Sequence, residues 1–192
     1  DHLQVGDQPL VPGVEGDADV GPVGERVGPG GGDPQALRPR EVREQRPGAE
    51  EQQDGGADDD MLSGGSGNDV LIGGDGMDRI HGGSGDDRVT AGNGDADVYG
   101  EAGDDTIVLG ASVKTISGGG GDDTITVEGG ENLIYGDNRP GESTGADGDD
   151  EITGGSGADE IWAGMGDDEV DARAGDDTIH GGPGNDVYAG GP

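Results

Sequence analysis

Aspartate recurs in this sequence at intervals of nine. Asp60, Asp69, Asp78 and Asp87 open the series, and Asp105, Asp123, Asp150, Asp159, Asp168, Asp177 and Asp186 continue it at gaps that are multiples of nine. Carboxylates among glycines, in a chain with no Cys, favour hard, oxygen-seeking cations over zinc or copper. Turns that stack bring such carboxylates together, and they repel unless protonated or metal-bound. Backbone carbonyls in the turns add further hard oxygens. Six or more oxygens around one site is what Ca²⁺ accepts, whereas Mg²⁺ demands stricter geometry. These aspartates are the candidate metal ligands, and several Ca²⁺ ions are the expected cofactor.

The elements that must position them are short and repeated. From Gly55 the chain keeps a nine-residue phase through fifteen units, ending at Ala189 with no insertion or deletion. Clean copies read GGSGNDVLI (64–72), GGDGMDRIH (73–81) and GGSGADEIW (154–162). The fourth position is Gly except at Asp58, Ser112 and Arg139, and the eighth is Leu, Ile or Val except at Ser143 and Tyr188. Positions one to six read as a turn, where Gly supplies φ > 0. Positions seven to nine read as a strand whose eighth side chain alone points inward. So short a strand must stack on copies of itself, which predicts an aliphatic ladder from Leu62 to Ile179.

Composition agrees. Only 27% of residues are hydrophobic and there is no Phe, too little for an ordinary core. The net charge of −34 argues against nucleic acid, which requires a basic face. No apolar run is long enough for a transmembrane helix. Residues 1–54, rich in Pro and Gly without hydrophobic period, read as a disordered linker, and residues 55–192 as the repeat domain. The chain starts at Asp1 and shows no N-terminal export leader, which suits a fragment or a protein exported by another route.

The repeat resembles the RTX (hemolysin-type) family, whose unit is Gly-Gly-x-Gly-x-Asp-x-aliphatic-x. The resemblance covers 55–189 and implies an all-β fold, a parallel β-roll in which two units make one coil. Turns would alternate between two edges, with each Ca²⁺ between units n and n+2. On that scheme one edge carries Asp69, Asp87, Asp105, Asp123, Gly141, Asp159 and Asp177. The other carries Asp60, Asp78, Ala96, Lys114, Asn132, Asp150, Asp168 and Asp186. Adjacent Asp pairs then give seven expected sites, of which 60/78 is weakened by Asp58 in place of the turn Gly. Lys114 would replace a missing cation, or be a solvated remnant of a decayed repeat. The resemblance also implies bacterial type I secretion and an extracellular location. Family members usually carry a C-terminal secretion segment, which the end at Gly190-Gly191-Pro192 lacks.

Other constellations read as structural. Gly141-Glu142-Ser143-Thr144-Gly145 matches a nucleophile elbow in letters, but the preceding strand and following helix are missing. His81 and His180 are ninth-position residues facing solvent, and His2 lies in the linker. Ile72, Thr106, Val108, Thr124, Thr126, Thr144 and Trp162 would line an outer face. Such a face could meet an extracellular partner or polysaccharide, although exposed strands favour these types anyway. The expectation is a secreted, calcium-binding, non-enzymatic module whose folding is coupled to the ion. Its alternatives are the repeat fragment of a larger RTX protease, lipase or epimerase, and a disordered calcium buffer.

Overall fold

The computed structural model describes residues 50–112, 114–141 and 146–192. Most of the expected linker, together with His2, Ser143 and Thr144, lies outside them. All regular structure among the described residues is strand. One parallel sheet holds, in order, β1 (Gln52–Gly56), β3 (Val70–Gly74), β5 (Arg88–Gly92), β7 (Thr106–Ala111), β9 (Thr124–Gly129), β11 (Glu151–Thr153), β13 (Glu169–Asp171) and β15 (Val187–Ala189). The second holds β2 (Met61–Ser66), β4 (Asp78–Ser84), β6 (Ala96–Ala102), β8 (Lys114–Gly120), β10 (Leu133–Asp137), β12 (Glu160–Trp162) and β14 (Thr178–His180). The chain alternates between the sheets and advances by one parallel register step per coil, giving the expected β-solenoid. β1 begins ahead of Gly55, so residues 52–54, read as linker, are strand.

The inward ladder forms as the period requires. Leu71, Ile80, Val89, Val98, Ile107, Ile116, Ile125, Ile134 and Ile161 are each 0% exposed. Burying one such side chain contributes roughly 1.5–3 kcal/mol. Ile152 pairs in register with Ile125 below and Val170 above, so each step of the ladder is also a step of the sheet.

A second inward row was not expected. Ala91, Leu109, Val127, Ala163 and Ala172 occupy first positions and are buried. Ala91, Leu109 and Val127 are inward because their strands run on past the ninth position, whereas Ala163 and Ala172 directly follow strands that end there. β7 and β9, for example, span six residues each rather than three. Two residues further along an alternating strand the side chain again points inward. The signal lay in the first column, where Gly is replaced only by apolar residues.

The turns stack too closely for side chains at two positions. Gly65 and Gly67, second and fourth in their unit, have φ of 95° and 109°. A Cβ on Gly121, another fourth-position glycine, would come 2.6 Å from the Gly103 carbonyl oxygen one coil below. Glu101, with φ of 83°, holds the left-handed conformation at a second position without being Gly.

Candidate metal centre

The turns bring the sixth-position aspartates into two columns, and both columns differ from the expected ones. Up to Asp123 the step between neighbours is eighteen residues. There it becomes twenty-seven: the Asp123 N–H donates to Asp150 Oδ1 at 2.9 Å, and the Asn132 N–H to Asp159 Oδ1 at 2.9 Å. Strands agree, with β9 pairing β11 and β10 pairing β12. One nonapeptide has left the coil. Gly136 starts a turn that Asp150, not Gly141, completes. A Cβ on Gly64 would meet Asp69 Oδ2 five residues on, whereas one on Gly136 would meet Asp150 Oδ2 fourteen residues on. Every later unit therefore stands on the opposite edge from the one expected.

The exchange gathers aspartates. The first edge runs Asp69, Asp87, Asp105, Asp123, Asp150, Asp168 and Asp186 without a break. The second runs Asp60, Asp78, Ala96, Lys114, Asn132, Asp159 and Asp177. Six adjacent Asp pairs on the first edge and two on the second replace the expected seven with eight. The pairs 123/150 and 60/78 both stand, the latter with the Asp60 N–H 3.1 Å from Asp78 Oδ1 despite Asp58.

Each pair uses its oxygens in one way. Oδ1 accepts the backbone N–H of the aspartate one coil earlier, as in Asp69 N–H to Asp87 Oδ1 at 2.7 Å. Oδ2 is buried with no hydrogen-bond partner at Asp69, Asp78, Asp87, Asp105, Asp123, Asp150, Asp159, Asp168 and Asp177. An uncompensated buried carboxylate oxygen is costly unless something positive meets it. The space beside it holds a second hard oxygen: a Cβ on Gly82 would fall 2.5 Å from both Asp87 Oδ2 and the Gly100 carbonyl oxygen. The same pairing recurs at Gly100, Gly118 and Gly136, facing the carbonyls of Gly118, Gly136 and Ala163. Among the described residues no three acidic or histidine side chains converge on one point. Turn carbonyls must therefore complete any coordination shell. This oxygen-only donor set fits Ca²⁺.

The carboxyls record the same strain. Burial, before any other cause, raises Asp87 to about 6, Asp105 to about 7, Asp150 to about 8 and Asp123 to about 9. Neighbouring carboxylates push in the same direction, and the backbone N–H bonds oppose them.

A second carboxylate row escaped the sequence reading. On the first edge the fifth positions are Asn68, Asp86, Asp104, Asp122, Asp149, Asp167 and Asn185. They point outward and link in the reverse sense: the Asp122 N–H donates to Asp104 Oδ1 at 3.0 Å, and the Asp167 N–H to Asp149 Oδ1 at 2.7 Å. Only the first edge carries this row unbroken, a pattern visible in the sequence once the edges are sorted correctly.

The excursion is anchored on the second sheet. Arg139 lies over the Tyr99 ring at 4.4 Å and the Tyr135 ring at 5.9 Å, and its Nη1 donates to Tyr99 Oη at 2.5 Å. Asp137 accepts the N–H groups of Gly148 at 3.3 Å and Met165 at 2.6 Å, closing the turn across the gap. Deleting residues 138–146 would join Asp137 to Asp147 and leave the turn sequence GDDGDD. That variant should keep the parent's bound calcium and β content. A loss of two or more ions per chain, by metal analysis, would show that the excursion is part of the sites.

The outer-face expectation is corrected in one respect. Trp162 lies on the second sheet, stacked on His180 at 3.8 Å, and not with Thr126 and Val108. One indole face is thus already occupied.

Comparison with known proteins decides the family. The RTX calcium-binding nonapeptide repeat (4 copies) matches residues 54–89, 72–107, 115–138, 144–178 and 166–192. The chain belongs to this family. The RTX match lapses over 108–114 and 139–143, which are the two places where the turn chemistry changes. RTX repeats bind calcium, and the orphaned Oδ2 atoms of this array lie where hard oxygens gather. No curated protein and no solved structure matches the chain. Among the described residues no helix is long and apolar enough to cross a membrane.

Proposed function

We propose that this RTX array is a secreted binding module that folds when calcium fills the gaps between its stacked turns. The observation that carries the reading is the column of buried, unpartnered Asp Oδ2 atoms, each beside a turn carbonyl. Without a cation the coils would hold these carboxylates against their own repulsion, so binding energy becomes folding energy. On this reading the eight Asp pairs are the sites, and none of the array's side chains performs catalysis. Extracellular modules bind calcium at about 10⁻⁴–10⁻³ M. A chain of that affinity stays open in calcium-poor cytosol and closes outside, which suits export. RTX repeats are typical of secreted bacterial proteins.

The test is a calcium titration of the whole chain followed by far-UV circular dichroism, with magnesium as control. A cooperative coil-to-β transition with calcium alone is expected. Calcium uptake without any change in secondary structure would sink the folding claim and leave a polyanionic buffer.

A further inference from the structure

We propose that Lys114 is a built-in cation that takes the place of calcium in the middle of the second edge. The inference rests on the calcium reading above. Lys114 is the only lysine in the chain, and at 1% exposed it ranks among its most deeply buried side chains. It occupies a sixth position, in register above Ala96, which is in register above Asp78. Both residues replace an Asp, so this stretch has no carboxylate pair to hold an ion.

The short Ala96 side chain leaves a cleft lined by Asp78, Asp95, Asp97, Arg79 and Lys114. The Lys114 Nζ donates to Ser112 Oγ at 2.9 Å. The single Ser112 Oγ–H is shared between the Gly94 carbonyl at 2.9 Å and the Asn93 carbonyl, one coil below. The ammonium thus reaches turn carbonyls through one hydroxyl, in a gap that an ion would bridge directly. Ser112 is itself an exception at a Gly column, so Ser112 and Lys114 depart from the repeat together.

The charge environment supports an ammonium. Burial lowers its proton affinity, while the carboxylates of Asp95 and Asp78 act in the opposite direction. Arg79 is the competing cation in the same cleft. Asn132, one coil above, turns its Nδ2 away toward Asp159 Oδ1 at 2.8 Å and the Gly130 carbonyl at 3.1 Å, and offers Lys114 no charge. A charged group buried to this degree persists only when hydrogen-bonded and compensated. Here the compensation comes from Asp95 and Asp78, which act on the ammonium from across the cleft.

Three measurements on the full chain test the proposal. Nitrogen-15 NMR of the calcium-loaded protein should show a single lysine ammonium whose protons exchange slowly at pH 7. A neutral amine, or an ammonium exchanging as in water, overturns it. Lys114→Met, of similar length but uncharged, should raise the calcium midpoint for folding several-fold; an unchanged midpoint overturns it. The double variant Ala96→Asp/Lys114→Asp restores pairs 78/96 and 96/114 and should bind about two more ions, as expected for one ion per restored pair. A folded double variant with the parent's ion count overturns it. Wild-type chain that takes up no calcium would instead remove the calcium reading, whatever the state of Lys114.

Discussion

Replacing Asp123 by Ala should cost the array about two calcium ions at once, on the reading that each Asp pair holds one. Asp123 stands between Asp105 and Asp150 and belongs to both pairs. Had the edges run as the unbroken count of nine suggests, its upper neighbour would have been Gly141 and only one site would depend on it. Asp78→Ala provides the control: its upper neighbour is Ala96, so one ion should be lost. Metal analysis of the two variants after dialysis at fixed free calcium measures the difference. Equal losses would return Asp123 to the simple alternating scheme. The Asp123 variant should also lose the most stability, because it cuts the longest continuous column in half.

The calcium midpoint for folding should stay nearly level from pH 9 to 6 and rise only as the pH approaches the unfolded Asp value near 4. Burial raises the carboxyls of Asp87, Asp105, Asp150 and Asp123 to between about 6 and about 9 in the metal-free roll. For a group raised on folding, stability is fully present below the unfolded pKa, near 4 for Asp. It is lost as the pH climbs through the folded value. The metal-free roll therefore survives best in acid and is driven open toward pH 9. Calcium acts on the other form. The open chain that it folds has Asp pKa values near 4, so its carboxyls are already ionised from pH 9 to 6 and no proton is displaced there. The calcium midpoint rises only as the pH approaches 4 and protons compete in the open chain. Calcium midpoints from circular dichroism at pH 4.5, 6, 7.5 and 9, with proton release in weak buffer, provide the check. A midpoint that climbs steeply from pH 9 to 6, with proton release, would mean that calcium closes a roll already folded around protonated carboxyls.

The fold was legible because the repeat makes every column answer to one physical demand. An inward aliphatic at the eighth position, glycine where φ is positive and Asp at the turn's end leave little choice but a stacked roll. The change of edge was not legible by counting, because the expelled segment is itself nine residues long and keeps the phase. Its chemistry nonetheless sets it apart. The unit 136–144 has Arg139 where a positive φ favours Gly, Pro140 without an N–H to share, and Ser143 where the core needs an aliphatic. The unit 109–117 also fails two columns, with Ser112 and Lys114, yet it keeps Ile116 at 0% exposed and stays in the ladder. The eighth column decides which units are held: a unit that cannot contribute to the core is cheaper to loop out than to bury. The first-position core row and the outward Asp row went unread for a different reason. They depend on strand length and on which units share an edge, and neither follows from one unit taken alone.

The nine-residue excursion also sets what each of the two sheets displays. With two units per coil, whether a unit is looped out or held in the coil decides the side on which everything after it stands. Trp162 and His180 now stand in line with Tyr135 on the second sheet. With that unit held in the coil they would stand on the first, and Thr153 and Asp171 would change places with them. A single in-frame insertion or deletion of one repeat that the coil holds can thus reverse the decoration of everything after it while leaving each residue's local sequence unchanged. Lineages that gain and lose repeats by slippage therefore hold a way to reassign whole surfaces in one genetic event.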